Sequence, residues 1–276
     1  MPLIDIGGLD MAYRLEGTGT PLMLVAGTGY PGATWAPELL APLEARHRVL
    51  TFDHRGTGET PATDEPYSTR GFAADAVALM EALGIGEAHV VGHSMGGRVA
   101  QWMALDHPER VHSLVLAASG PGQFDAQRPI VRGVPLHTTE AMIELGYERY
   151  MAEHIRDTFF TPEFAAEHLG TVDWLVRAFW ENRPALREYL RHVIARQEHQ
   201  TADRLVDIKV PTLVLIGDRD RHMGGTGVHW EQSEYLLRHI PGATRVVIPD
   251  ASHGYFWQAP ELSAEAVLGW TVAHDA

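Results

Sequence analysis

The chain has 276 residues, a net charge of −14, 45% hydrophobic residues and no cysteine. That length fits one large domain or a domain carrying an insertion, with ample apolar residues for a core. The acidity argues against nucleic acid and anionic membranes as partners, and the missing thiols exclude disulfides, thiolate metal sites and cysteine nucleophiles. No basic-then-apolar leader opens the chain, and no apolar run reaches the ~18 residues of a membrane helix, so a soluble cytoplasmic protein is expected.

In chain order, LIDI and MAYRL are short and alternating, and Gly7-Gly8 joins them as a leading antiparallel hairpin. PLMLVA, RVLTFD, AHVVGHS, SLVLAAS, TLVLIGD and RVVIPD follow as continuous runs rich in branched residues. Such runs mark strands of a parallel sheet buried on both faces. Helical patterns lie between them: Ser68 to Leu83 with a Gly84 stop, Met95 to Asp106, His229 to His239, and Pro260 to Ala273. From Gly122 to Asp207 there is no strand-like run, only helical pieces punctuated by Pro162, Gly170 and Pro184. Residues 122–207 therefore read as a helical insertion in a core made of 1–121 and 208–276.

Two glycine motifs compete for the function. VAGTGYPGATW reads G-x-G-x-x-G through Gly27, Gly29 and Gly32, with Asp53 ending the next apolar run. That is the outline of a dinucleotide turn with its ribose-binding acid. Pro31 removes an amide from such a phosphate nest, and Pro37 and Pro42 are expected to interrupt the helix that should follow, at ~3 kcal/mol for an interior proline. The second motif, Gly92-His93-Ser94-Met95-Gly96, sits between an apolar strand and a helix, the context of a nucleophile elbow. Its sharp turn lifts Ser94 clear of the sheet and aims the Met95 amide where an oxyanion would form. Serine needs a base and a group to orient that base, in chain order Ser, acid, His. Asp218 and Asp220 follow TLVLIG, and His253 follows RVVIPD, both on loops at the carboxyl ends of strands.

With GTGYPGATW, DHRGTGET, VVGHSMGGRVAQWMALDHPERVHSLVL, VPTLVLIGDRD and ASHGYFWQAPE in order, the chain resembles the α/β-hydrolases of the capped esterase, lactonase and haloperoxidase-like kind. The resemblance implies a mostly parallel sheet of about eight strands flanked by helices, with a helical cap after the sixth strand. It implies Asp220 as the triad acid, the last residue of the G-x-x-D turn, with Asp218 in reserve and Asp125 as the position used by a minority of relatives. It places the second oxyanion amide at Thr28 beside that of Met95, and gives Asp53 and Arg55 a structural role in bracing loops. The glycine loop then serves as an oxyanion loop, and neither a cofactor nor a metal is expected.

The expected activity is cleavage of a small or medium, mainly apolar carboxylic ester or lactone. Alternatives are carbon–carbon bond hydrolysis of a β-diketone-like compound, a haloperoxidase-like side activity, and a ligand receptor of the same fold that turns nothing over. Serine at 94 disfavours epoxide hydrolases and haloalkane dehalogenases, which use an aspartate there. Tyr30, Trp174, Trp180 and Tyr255 are candidate pocket walls around a small-molecule substrate. Arg177, Arg183 and Arg187 would bind a carboxylate if they face inward, and otherwise form a solvated face. His93 reads as packing, and His222, on the acid's own loop, as a poor base. Chains of this kind are compatible with a homodimer, which no sequence feature decides.

Overall fold

The hairpin forms as β1 (Leu3–Asp5) and β2 (Asp10–Glu16) in the computed structural model, which describes residues 1–125, 132–222 and 228–275. After β3 (Pro21–Val25) come α1 (Pro37–Glu44), β4 (Arg48–Phe52), α2 (Thr69–Ala82), β5 (Ala88–His93), α3 (Met95–Asp106) and β6 (Val111–Ala117). Before the next strand, the described residues form α4 (Leu136–Leu145), α5 (Tyr147–His154), α6 (Pro162–Glu167), α7 (Leu169–Glu181) and α8 (Leu186–Gln197). The chain then returns as β7 (Thr212–Gly217), α9 (His229–His239), β8 (Thr244–Ile248), α10 (Tyr255–Gln258) and α11 (Pro260–Ala273).

The strands form one eight-stranded sheet in the order β1-β2-β4-β3-β5-β6-β7-β8. β2 pairs antiparallel with β1 and β4, and every other pairing is parallel. The continuous apolar runs have a simple cause. Leu24, Val91 and Val115 enter the core on one face of the sheet, while their neighbours Met23, Val90 and Leu114 enter the core on the other. With helices on both faces, neither of the two alternating sets of side chains is left to solvent. Ile155, Phe159, Leu175, Phe179 and Val193 from the segment between β6 and β7 join the same apolar cluster as Leu24 and Val91. Among the described residues, no helix is long and apolar enough to cross a membrane.

Two expectations need correction. Pro37 and Pro42 do not prevent a helix: α1 forms with Pro37 in its first turn and Pro42 inside. A first-turn proline forfeits no helical bond. The single bond lost at Pro42 is offset by Leu39 and Leu43, buried in the core, at roughly 1.5–3 kcal/mol each. Second, β8 is not buried on both faces. It is the sheet's edge, and its first three residues are exposed.

Candidate active site

Ser94 follows β5 and caps α3 with φ 57° and ψ −117°, a conformation non-glycine residues rarely adopt. The surrounding chain fixes it there. The Ser94 amide donates to the Ala117 carbonyl (2.8 Å), and the Ser94 carbonyl accepts from the Ser119 hydroxyl (2.7 Å) and the Gly97 amide (3.1 Å). The flanking glycines are a steric requirement. A Cβ on Gly96 would stand 2.0 Å from the Val25 carbonyl oxygen, and one on Gly92 2.3 Å from that of Gly96. Met95 opens α3, so its amide is among those that helix geometry leaves unpartnered within the helix.

Asp220 lies past the end of β7, fully buried, in a turn closed by its amide on the Gly217 carbonyl (3.1 Å). Its Oδ2 accepts from Nδ1 of His253 at 2.9 Å. Asp218 faces Arg219 instead, and it is Asp220, not Asp125, that partners His253. With Nδ1 donating to the carboxylate, His253 Nε2 carries the free lone pair. Burial, reinforced by His229, lowers the His253 pKa despite the pull of Asp220, so the ring is neutral at neutral pH. Burial alone would raise the Asp220 carboxyl, but the two histidines outweigh it and hold it well below the usual range. His93 is a packing residue, as the sequence implied: its Nε2 donates to the His253 carbonyl (2.9 Å), and desolvation lowers its pKa to about 3.

Ser94 and His253 line one small cavity of about 40 Å³. Thr28 and Tyr30 line it as well, and Gly27 backs directly onto Ser94. Phe159 closes it from the segment before α6, where a wide π-type turn over Ile155–Phe159 aims the ring at Tyr30 (5.0 Å, stacked). The other three proposed pocket walls lie elsewhere. Tyr255 is in the core, its hydroxyl spent on the Leu215 carbonyl (3.0 Å). Trp174 lines an outer groove with Phe164 and His168, and Trp180 another with Met151 and Arg177. Arg183 stacks on Trp180 and Arg187 is exposed, so neither arginine reaches the cavity.

The loop Gly27–Gly32 is not arranged for a dinucleotide. The next α-helix along the chain begins only at Pro37, so the glycines do not lead into a helix as those of a dinucleotide turn do. The Asp53 carboxylate is occupied by the amides of Gly32 (2.7 Å) and Glu59 (2.9 Å), the bracing role expected of it. Arg55 is likewise paired with Asp75 (2.7 Å).

Six residues of the cavity escape the sequence reading: His154, Thr158, Phe159, Tyr189, Arg196 and His229. Nδ1 of His229 donates to the second oxygen of Asp220 at 2.9 Å, and its ring stacks on His253 at 4.2 Å and 16°. No linear motif marks it; the opening position of a surface-type helix reads as ordinary. Asp220, His229 and His253 offer metal-ligand atoms within 4.8 Å of one another, as do His47, His89 and Asp275 elsewhere. In the first group both Nδ1 atoms already hold protons shared with the carboxylate. His229 has a simpler consequence: it divides the carboxylate between two imidazoles and opposes a proton on His253. Replacing His229 with glutamine should raise the His253 pKa and move the acid limb of kcat/KM to higher pH. Activity at pH 6 should therefore fall more than at pH 8, and an unmoved limb would refute this role.

A family model described as the alpha/beta hydrolase fold matches residues 21–260. A protein of Caulobacter vibrioides provisionally named carbamate hydrolase RutD is 43% identical, over 98% of each chain. One of Mycobacterium tuberculosis, provisionally named non-heme bromoperoxidase BpoC, is 32% identical over 94% of this chain and 97% of its own. Among solved structures, Est816, described as an N-acyl homoserine lactone degrading enzyme, superimposes with a TM-score of 0.78 at 27% identity, covering 98% of this chain and all of its own.

Proposed function

The chain belongs to the α/β-hydrolase fold family, and from that premise we propose that it is a serine hydrolase that cleaves a small carboxylic ester or lactone through an acyl-enzyme. The observation that carries this reading is the Asp220–His253 hydrogen bond at 2.9 Å, opening on the cavity that Ser94 also lines. Ser94 Oγ attacks the carbonyl, and His253 Nε2 takes its proton and returns it to the leaving group. Asp220 holds the imidazole tautomer. The amides of Thr28 and Met95 hold the oxyanion, each donor contributing roughly 3–4 kcal/mol if it behaves like other oxyanion donors. Water activated by His253 then releases the acid. Residues 122–207 act as the cap that screens this chemistry from solvent.

The test is a panel of p-nitrophenyl esters of graded length, simple lactones and a carbamate ester, the last prompted by the name of the 43%-identical relative. An alkyl fluorophosphonate should stop turnover and leave one adduct, mapping to Ser94 by peptide mass spectrometry. Turnover that survives the reagent, or an adduct on another residue, would sink the assignment. A carbon–carbon hydrolase or a receptor would leave the esters untouched.

A further inference from the structure

The cavity beside Ser94 is lined with hydrogen-bond donors that have nothing to donate to. The Arg196 Nε, the Tyr30 hydroxyl and the Thr28 hydroxyl are sealed from solvent without a hydrogen-bond partner. Tyr30 is neutral, since burial drives its phenol well above the ordinary value. The groups facing the Arg196 guanidinium are the phenols of Tyr150 and Tyr189 rather than carboxylates, and no described acid pairs with it. A second cation stands behind: Arg98 donates to the Arg196 carbonyl (2.5 Å). The Asp220 carboxylate behind His253 is committed to His229 and His253. A guanidinium whose Nε is shut from solvent without a counter-ion is costly, as is any buried donor left unmet. In a chain of net charge −14, this local excess of donors stands out.

We propose that Arg196, with the hydroxyls of Tyr30 and Thr28, forms an anion subsite, so that the compound cleaved at Ser94 carries a carboxylate on a short acyl chain. This rests on the hydrolase reading and narrows its substrate class from apolar acyl compounds to carboxylate-bearing ones. The guanidinium fork matches a carboxylate in two parallel bonds. The cavity is small, so the carboxylate lies only a few bonds from the scissile carbonyl.

The mono-p-nitrophenyl ester of glutarate is compared with p-nitrophenyl hexanoate, an uncharged ester of similar length. The wild type should favour the glutarate ester in kcat/KM by tenfold or more, the range expected of charge-assisted hydrogen bonds. Arg196→Met should abolish that ratio and Arg196→Lys restore part of it. Free glutarate should compete against hexanoate in the wild type and not in Arg196→Met. A wild type that favours hexanoate, or that glutarate does not inhibit, overturns the subsite even if Arg196→Met fails to fold. Should neither ester be cleaved in a Ser94-dependent way, the hydrolase reading falls instead. Glutarate must then still raise the Tm of the wild type and of Ser94→Ala, and the absence of that shift would reject the subsite on its own.

Discussion

Replacing Ser94 with alanine should lower kcat for the best ester by about 10⁴–10⁶-fold while leaving the protein folded. Stability should hold because alanine keeps the Cβ, and the bonds that fix the turn come from the Ser94 backbone and from Ser119. The strain at φ 57° is already present and does not change. His253→Gln should cost about as much, and the double variant no more than either single one, because nucleophile and base act as a unit. Asp220→Asn should be nearly as severe, about 10⁴-fold, for a reason particular to this site. The carboxylate accepts two Nδ1 protons, one from each histidine, whereas an amide has one oxygen to offer. Its NH₂ would face a donor, forcing one imidazole to the other tautomer. If that ring is His253, the base is lost. Steady-state rates under substrate saturation, with circular dichroism on each variant, check all four. Ser94→Ala within tenfold of the wild type would end the serine mechanism.

Part of this architecture is written locally, and part exists only in three dimensions. β3, β5 and β7 are legible because a strand apolar on both faces leaves an unbroken run, and the elbow is legible because steric contact at Gly92 and Gly96 admits nothing larger. The start of α2 follows from Ser68, whose hydroxyl accepts the Gly71 amide as a helix cap should (2.9 Å). α1 was hidden because a helix interior rule about proline is overridden by the burial of Leu39 and Leu43. The aromatic residues of α7 gave no sign of their direction. Val172, Leu175 and Phe179 turn inward, so Trp174 and Trp180 must fall off that stripe. Arg196 and His229 were invisible for a different reason. Each sits on an unremarkable amphipathic helix, and its meaning comes from what the fold brings opposite: an unpaired cavity for one, the second oxygen of Asp220 for the other.

The fold should also lose stability steeply as pH falls from 6.5 to 5.5. Burial lowers the pKa of His54 and His93 to about 3 and of His192 to about 4. All three are fully enclosed: His54 donates to the Ala26 carbonyl (3.3 Å) and His192 to that of Arg55 (3.0 Å), amid Tyr67 and Phe72. In the unfolded chain each titrates near 6.5, so below that pH the unfolded state binds protons the native state refuses. Their contribution is thus complete above pH 6.5 and drains as pH drops toward the folded values. Each group contributes about 1.4 kcal/mol per pH unit once well below 6.5, so three remove roughly 3 kcal/mol over this interval. That is a large share of the 5–15 kcal/mol typical of a domain. The direction is diagnostic. Added positive charge at the surface would ease the repulsion within a chain of net charge −14 and stabilise it slightly. Urea midpoints at pH 8.0, 7.0, 6.5, 6.0 and 5.5 decide the matter. A fall confined to the last three points fits burial of neutral histidines, two where α8 meets the loop after β4 and one beneath His253, while a flat or rising series would mean that these rings take up protons in the native state.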